Sequence, residues 1–292
     1  MKDDSQNKKG ISEILLIIIA VIFMVLGIGL LVFAFNQHIE LNDNASEEYT
    51  EVIYQTEVQN TTPIKKEIID ENINYETPSD LPPTKLIDVP YINQRAKYPT
   101  GCESVSAVMA LQFAGYDITP EDFINNFLPK SPAPYIDING QSLGYNPSKT
   151  FLGDPFSKDG WGCYFPVIRR CLYTITDEGR HTVETLYKTP LHDLCYYIDR
   201  DIPVIIWATQ GMNKTKKSKS WTIVDTGASF TWVSPNHCLL LVGYDDTGYY
   251  FNDPLTHKNC RYPADITEKR YNAMGKQALA IVPVEKENIE QY

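Results

Sequence analysis

Between Ile14 and Phe35 lie twenty-two consecutive residues without a charge, ILLIIIAVIFMVLGIGLLVFAF, and no other feature limits the architecture of the chain as strongly. About 20 such residues span a bilayer as a helix, whereas the apolar region of a cleavable signal is usually about 7–15 residues and precedes a small-residue cleavage site. Here the run closes on Phe33-Ala34-Phe35-Asn36, a poor cleavage site, so the expectation is an uncleaved anchor. Lys2, Lys8 and Lys9 precede it, and no Lys or Arg follows until Lys65. Positive residues stay on the cytoplasmic side. The sequence therefore predicts a cytoplasmic tail over 1–13, one transmembrane helix over 14–35, and everything beyond it outside the cell. The expected location is the cell membrane, crossed once, and membrane contact is expected only through residues 14–35.

Residues 36–81 form the second segment, rich in Glu, Asp, Asn and Thr and poor in aromatics. From Glu40 to Lys85 there are eleven acids against three lysines, a net charge of −8 out of −11 for the whole chain. Such a composition buries too little apolar surface to fold alone, and predicts a disordered acidic stalk. The remainder, Leu86 to Tyr292, carries twenty basic and twenty-three acidic residues. No basic footprint of the kind nucleic-acid binders show is present, so no nucleic-acid partner is expected.

The folding domain is placed at 82–292. Cys102–Ala114, CESVSAVMALQFA, has a helical apolar pattern at Val105, Val108, Met109 and Gln112 or Phe113, with Thr100 or Gly101 as cap and Gly115 as stop. Thr119-Pro120-Glu121-Asp122 opens a second helix with cap, proline and acids in order. Pro129–Gly162 reads as loop, and Cys163–Tyr173 and Pro190–Asp199 read as helices. Short strands are predicted over 203–207, 221–224, 230–233, 237–243, 249–252 and 278–282. Helices first and strands second predict an α+β domain with an antiparallel sheet.

Cys102 opens its helix, where unpaired amides and the helix dipole favour a thiolate. Gly101 before it leaves room for a substrate backbone. His237, at the start of HCLLLVGY, offers an imidazole to take and return a proton. Asp253 follows the strand YYFN, and a turn at Asp245-Asp246-Thr247-Gly248 brings it beside His237 to fix the ring tautomer. Asn252 is a rival for that role but points to the opposite strand face. Gln94 is the candidate side-chain oxyanion donor, alongside the Cys102 backbone N–H. The six cysteines include no C-x-x-C pair, so no structural metal and no cofactor are expected, and any disulfides among Cys163, Cys171, Cys195, Cys238 and Cys260 stay open. Gly160-Trp161-Gly162-Cys163 and Trp232 are read as core packing before cleft lining. Lys214, Lys216, Lys217 and Lys219 are read as a solvated loop between strands, and His181, His192 and His257 as lacking the company a base needs.

Four ordered blocks, VPYINQ, YPTGCESVSAVMALQFAG, NHCLLLVGYDD and YYFNDP, resemble the papain-like cysteine peptidases of family thirty-nine, the bacteriocin-processing-peptidase-like group, from about Asp88 to Val284. The resemblance implies a papain-like fold with Cys102 as nucleophile, His237 as base, Asp253 as orienting residue and Gln94 in the oxyanion hole. Leader-peptide processors of that group are fused to a transporter. This chain has one apolar run and no G-x-x-x-x-G-K-[ST] phosphate loop, and its gap between Gln94 and Cys102 and its longer Pro129–Gly162 insertion resemble the stand-alone relatives. The expected function is that of a membrane-anchored extracellular thiol hydrolase acting on a peptide or cell-wall peptide. Its rivals are a silent binding module of the same fold and an acyl or amide transferase using the same site.

Overall fold

The structure, a computed structural model, describes residues 82–284. Its strands are β1 (Lys85–Leu86), β2 (Lys130–Ser131), β3 (Tyr135–Ile136), β4 (Ser142–Gly144), β5 (Phe151–Leu152), β6 (His181–Thr185), β7 (Val204–Thr209), β8 (Lys216–Ile223), β9 (Ser229–Ser234), β10 (Asn236–Asp245), β11 (Gly248–Asn252), β12 (Cys260–Pro263) and β13 (Ala278–Pro283). Its helices are α1 (Cys102–Phe113), α2 (Pro120–Asn126), α3 (Phe165–Ile175), α4 (Cys195–Asp199) and α5 (Ala264–Ala273). The expected tail, span and stalk lie outside the described residues, and among the described residues no helix is long and apolar enough to cross a membrane.

The main sheet runs β12-β11-β10-β7-β13-β6, with β1 paired to the far end of β10. Every pairing in it is antiparallel. Its centre is β10 against β7, from Asn236↔Thr209 to Leu241↔Val204. All six residues of VIIWAT in β7 are buried, as are eight of the ten in β10, so both read as continuous apolar runs. That is the pattern of strands covered on both faces. Helix α1 packs on β10 and β7, and α5 packs on β7 and β11.

Ten of the twelve residues of α1 are buried, including Glu103, Ser104 and Ser106. The sequence predicts one apolar stripe there. The helix instead lies inside the domain, because Ser104, Ser106, Ala107 and Ala110 are small enough for elements to close around it. The predicted stop is present. Gly115 has φ +83°, and Tyr116 N–H donates to Leu111 O at 3.0 Å, recovering a carbonyl at the helix end. Thr119 caps α2 by accepting from Asp122 N–H at 3.1 Å.

Four departures from the sequence expectation have physical causes. The segment 129–162 is not all loop: β2 pairs with β5, while β3 and β4 join β8 and β9 in a separate four-stranded sheet. These strands are two or three residues long, below what periodicity can register. Strand β6 precedes α4 and joins through β13, and α5 lies between β12 and β13, so the order is not simply helices then strands. Pro190–Asp199 forms a short 3-10 turn and then the five-residue α4 in place of one helix. Lys216, Lys217 and Lys219 lie within β8 and not in a loop, since cross-strand pairing to β9 overrides local polarity.

Candidate active site

The hairpin predicted at Asp245–Gly248 forms, with Asp245↔Gly248 closing it and Leu240↔Asn252 at its far end. Asp253 follows directly, and its carboxylate is tied down by the turn it starts. Oδ1 accepts from Leu255 N–H at 2.9 Å and from His237 Nε2–H at 2.8 Å. Both side chains are 1% exposed. Oδ2 accepts the phenol of Tyr262 at 2.8 Å, and Tyr91 donates to the Asp253 backbone carbonyl at 3.1 Å. Burial pushes the carboxyl up, but the bond and charge of His237 with the Leu255 and Tyr262 donors outweigh it and bring Asp253 down to about 2. An ionised Asp253 requires the proton on Nε2 of His237. Nδ1 is then left as the acceptor nitrogen of the ring. His237 is buried and does not stand open on a cleft.

Asn252 faces the other way, as strand alternation requires. Its amide donates to Val89 O at 3.2 Å and Pro90 O at 3.1 Å, anchoring the segment that leads to Gln94. Pro254 O in turn accepts from Gln94 N–H at 3.0 Å. The Gln94 side chain is buried, and its amide donates to Tyr98 O at 3.2 Å and Pro99 O at 3.1 Å, leaving Oε1 without a partner. In this geometry Gln94 braces the turn that delivers Cys102 and does not present a free N–H.

Cys102 occupies the first position of α1, after Gly101 and with no side-chain cap. A Cβ on Gly101 would sit 3.0 Å from Tyr98 Cβ and 3.2 Å from Pro155 Cβ, so its bareness serves the packing of two loops. The helix is joined to the His237 strand by Ser106 Oγ–H, which donates to Cys238 O at 3.2 Å. Cys102 is 7% exposed, and its sulfhydryl donates to Glu103 Oε2 at 3.2 Å. Burial pushes the thiol well above its ordinary value, and the adjacent Glu103 carboxylate and Cys238 push it further.

Two contributors escape the sequence reading. Glu103 looks like an ordinary acid at a helix start, yet it is fully buried, and its Oε1 accepts Cys163 N–H at 2.9 Å. Tyr262 lies nine residues beyond Asp253 in a strand that the sequence does not announce. Gly162 is fixed by the first of these. It has φ +132°, and a Cβ there would come within 2.5 Å of Glu103 Oε1. Trp161 meets Trp221 and Trp232 edge-on at 5.8 and 5.7 Å, and Trp232 stacks on Tyr164 at 5.6 Å, so Trp232 serves packing. All six cysteines are free thiols, and among the described residues no His, Cys, Asp and Glu cluster has metal-binding geometry.

The uncharacterized protein YvpB of Bacillus subtilis strain 168 is 27% identical over 199 residues, covering 68% of this chain and 76% of its own. A crystal structure described as a C39-like peptidase from Bacillus anthracis superposes with a TM-score of 0.60 at 24% identity, covering 69% of this chain and 99% of that one. At that identity the likeness concerns the fold. The description of the Peptidase_C39 like family matches residues 86–279, about two thirds of the chain, a span that holds Gln94, Cys102, His237 and Asp253. The chain belongs to the Peptidase_C39 like family.

Proposed function

We propose that the protein is a cysteine peptidase in which Cys102 attacks a peptide or amide carbonyl and His237 serves as base. The observation that carries this reading is the buried Asp253–His237 pair at 2.8 Å, which leaves Nδ1 as the ring's proton acceptor beside the strand that α1 touches. The Cys102 Sγ–H proton passes to Nδ1, and the sulfur forms a bond to the carbonyl carbon. The developing oxyanion is held by the Cys102 backbone N–H at the helix start, where intrahelical partners are lacking. Nδ1 then protonates the leaving amine, and an acyl-thioester remains on Cys102. Water attacks that thioester with Nδ1 again as base, and the thiol is restored. Asp253 holds the ring and balances the imidazolium. Gln94 joins the oxyanion hole if one of its amide hydrogens leaves the Tyr98 or Pro99 carbonyl.

The domain is placed outside the cell, tethered by residues 14–35 through the acidic stretch 36–81, and its substrate is a peptide or a cell-wall peptide. The apolar run and the lysines before it support this placement. A second reading, a binding module of the same fold without turnover, is favoured by the burial of the Cys102 thiol and its bond to Glu103. Purified protein incubated with peptide and muropeptide mixtures and followed by mass spectrometry separates the two. New termini that vanish in Cys102→Ala and His237→Ala support the peptidase. No Cys102-dependent product, with Cys102→Ala still retaining a peptide, selects the binding module. Products extended by an added amine acceptor identify acyl transfer.

A further inference from the structure

Among the described residues Glu103 is the one fully buried acid in contact with the candidate nucleophile, and the mechanism above gives it no part. Its two oxygens serve two elements. Oε2 accepts the Cys102 sulfhydryl at 3.2 Å, and Oε1 accepts Cys163 N–H at 2.9 Å, from the stretch that carries Gly162. Among the described residues no Lys or Arg pairs with it. The titratable groups around it are Cys102 on its own helix, His237 and Cys238 from β10, and Cys163 and Tyr164 from the segment before α3. None of these except His237 can bring a positive charge. A buried carboxylate without a cation is tolerated when helix-start amides and hydrogen-bond donors face it, and Glu103 sits in the first turn of α1.

We infer that Glu103 is a positioning residue of this site, whose buried carboxylate holds the Cys102 proton and keeps the nucleophile a neutral thiol until substrate arrives. The inference rests on the assignment of Cys102 as nucleophile. A thiol has one hydrogen. While that hydrogen is donated to Glu103 Oε2 it is not donated to His237 Nδ1, and a negative oxygen beside the sulfur opposes a second negative charge. Reaction requires the Sγ–H to turn to Nδ1, where the proton is transferred and the sulfur keeps its electron pair. The thiolate is also the oxidisable and alkylatable form, so the resting site resists peroxide and electrophiles.

The test is the pH dependence of iodoacetamide labelling at Cys102 in the full-length protein, read by peptide mass spectrometry to separate it from the other five thiols. Wild-type labelling is expected to rise only above about pH 8.5, as for an unactivated thiol or later. In Glu103→Gln the amide oxygen still accepts Cys163 N–H, and the amide N–H turns a donor toward sulfur. Its profile is expected to move to lower pH by at least about one unit, giving about tenfold faster labelling near neutrality. Superimposed wild-type and E103Q profiles overturn the inference. So does a wild-type reactivity plateau below about pH 7, a result that needs no variant to fold. The two readings fail separately: absent Cys102-dependent turnover sinks the peptidase assignment and leaves the labelling difference standing, whereas unchanged labelling with intact turnover sinks only the role of Glu103.

Discussion

Replacing Asp253 by alanine exposes how much of the site one carboxylate holds. Its oxygens accept three donors: His237 Nε2–H at 2.8 Å, Leu255 N–H at 2.9 Å and Tyr262 O–H at 2.8 Å. Alanine leaves all three without an acceptor. A buried donor so stranded costs about 1–3 kcal/mol. His237 is 1% exposed and bears that cost in full, while Tyr262 is only partly buried and recovers part of its loss from water. The expected destabilisation is about 3–5 kcal/mol, the range found on removing one member of a buried pair. That is a large fraction of the roughly 5–15 kcal/mol that holds a native protein together. Asparagine is the control: it keeps an oxygen for His237 and Leu255 and offers its amide to the Tyr262 oxygen. Only the charge assistance goes, at about 1–2 kcal/mol. Urea unfolding followed by tryptophan fluorescence, with the slope m unchanged, measures both values. Alanine and asparagine variants lying within about 1 kcal/mol of each other would refute the claim that this carboxylate organises the site.

Acid pH provides an independent check on the same group. Asp253 titrates at about 2 when folded against an ordinary 3.8, so its ionisation adds about 2 kcal/mol of stability. A lowered carboxyl contributes fully above the ordinary value and loses that contribution as pH falls through the folded one. The gap between wild type and Asp253→Asn in urea midpoint should therefore close between about pH 4 and pH 2. Glu103 has the opposite sign, because burial, only partly offset by the Cys163, backbone and Cys102 hydrogen bonds, raises its carboxyl. The protein gives up stability as pH rises past the ordinary carboxylate range, and Glu103→Gln should unfold at higher urea than wild type at neutral pH. Gly162→Ala meets both a left-handed φ of +132° and Glu103 Oε1 at 2.5 Å. It should lower stability by about 1–3 kcal/mol, measurable as a drop in Tm. Trp207→Phe removes the indole N–H that donates to Cys163 O at 2.9 Å inside the core. Its expected cost is about 1–3 kcal/mol by urea unfolding.

Much of the scaffold is legible in the chain because it rests on local chemistry. Gly115 stops α1, Thr119 caps α2, and the Asp245–Gly248 turn pairs β10 with β11 as their residues require. The run HCLLLVGY announces a strand, and the spacing of His237 and Asp253 announces the pair that the hairpin closes. The strand alternation that turns Asn252 away from Asp253 follows from backbone geometry, so the choice between the two is already available in sequence. What sequence does not carry is whatever depends on distant segments closing on one another. Glu103 carries no local signal of its burial, which comes only when α1 is enclosed and the Gly162–Cys163 stretch meets it. Gln94 reads as an oxyanion donor, and that its amide hydrogens rest on the Tyr98 and Pro99 carbonyls is visible only in the fold. Tyr262 lies in a four-residue strand whose place comes from pairing with β11. Residue types and spacing determine which groups are present and in what order. Burial and hydrogen-bond partners, which decide protonation, exist only once the tertiary structure has removed water from around them.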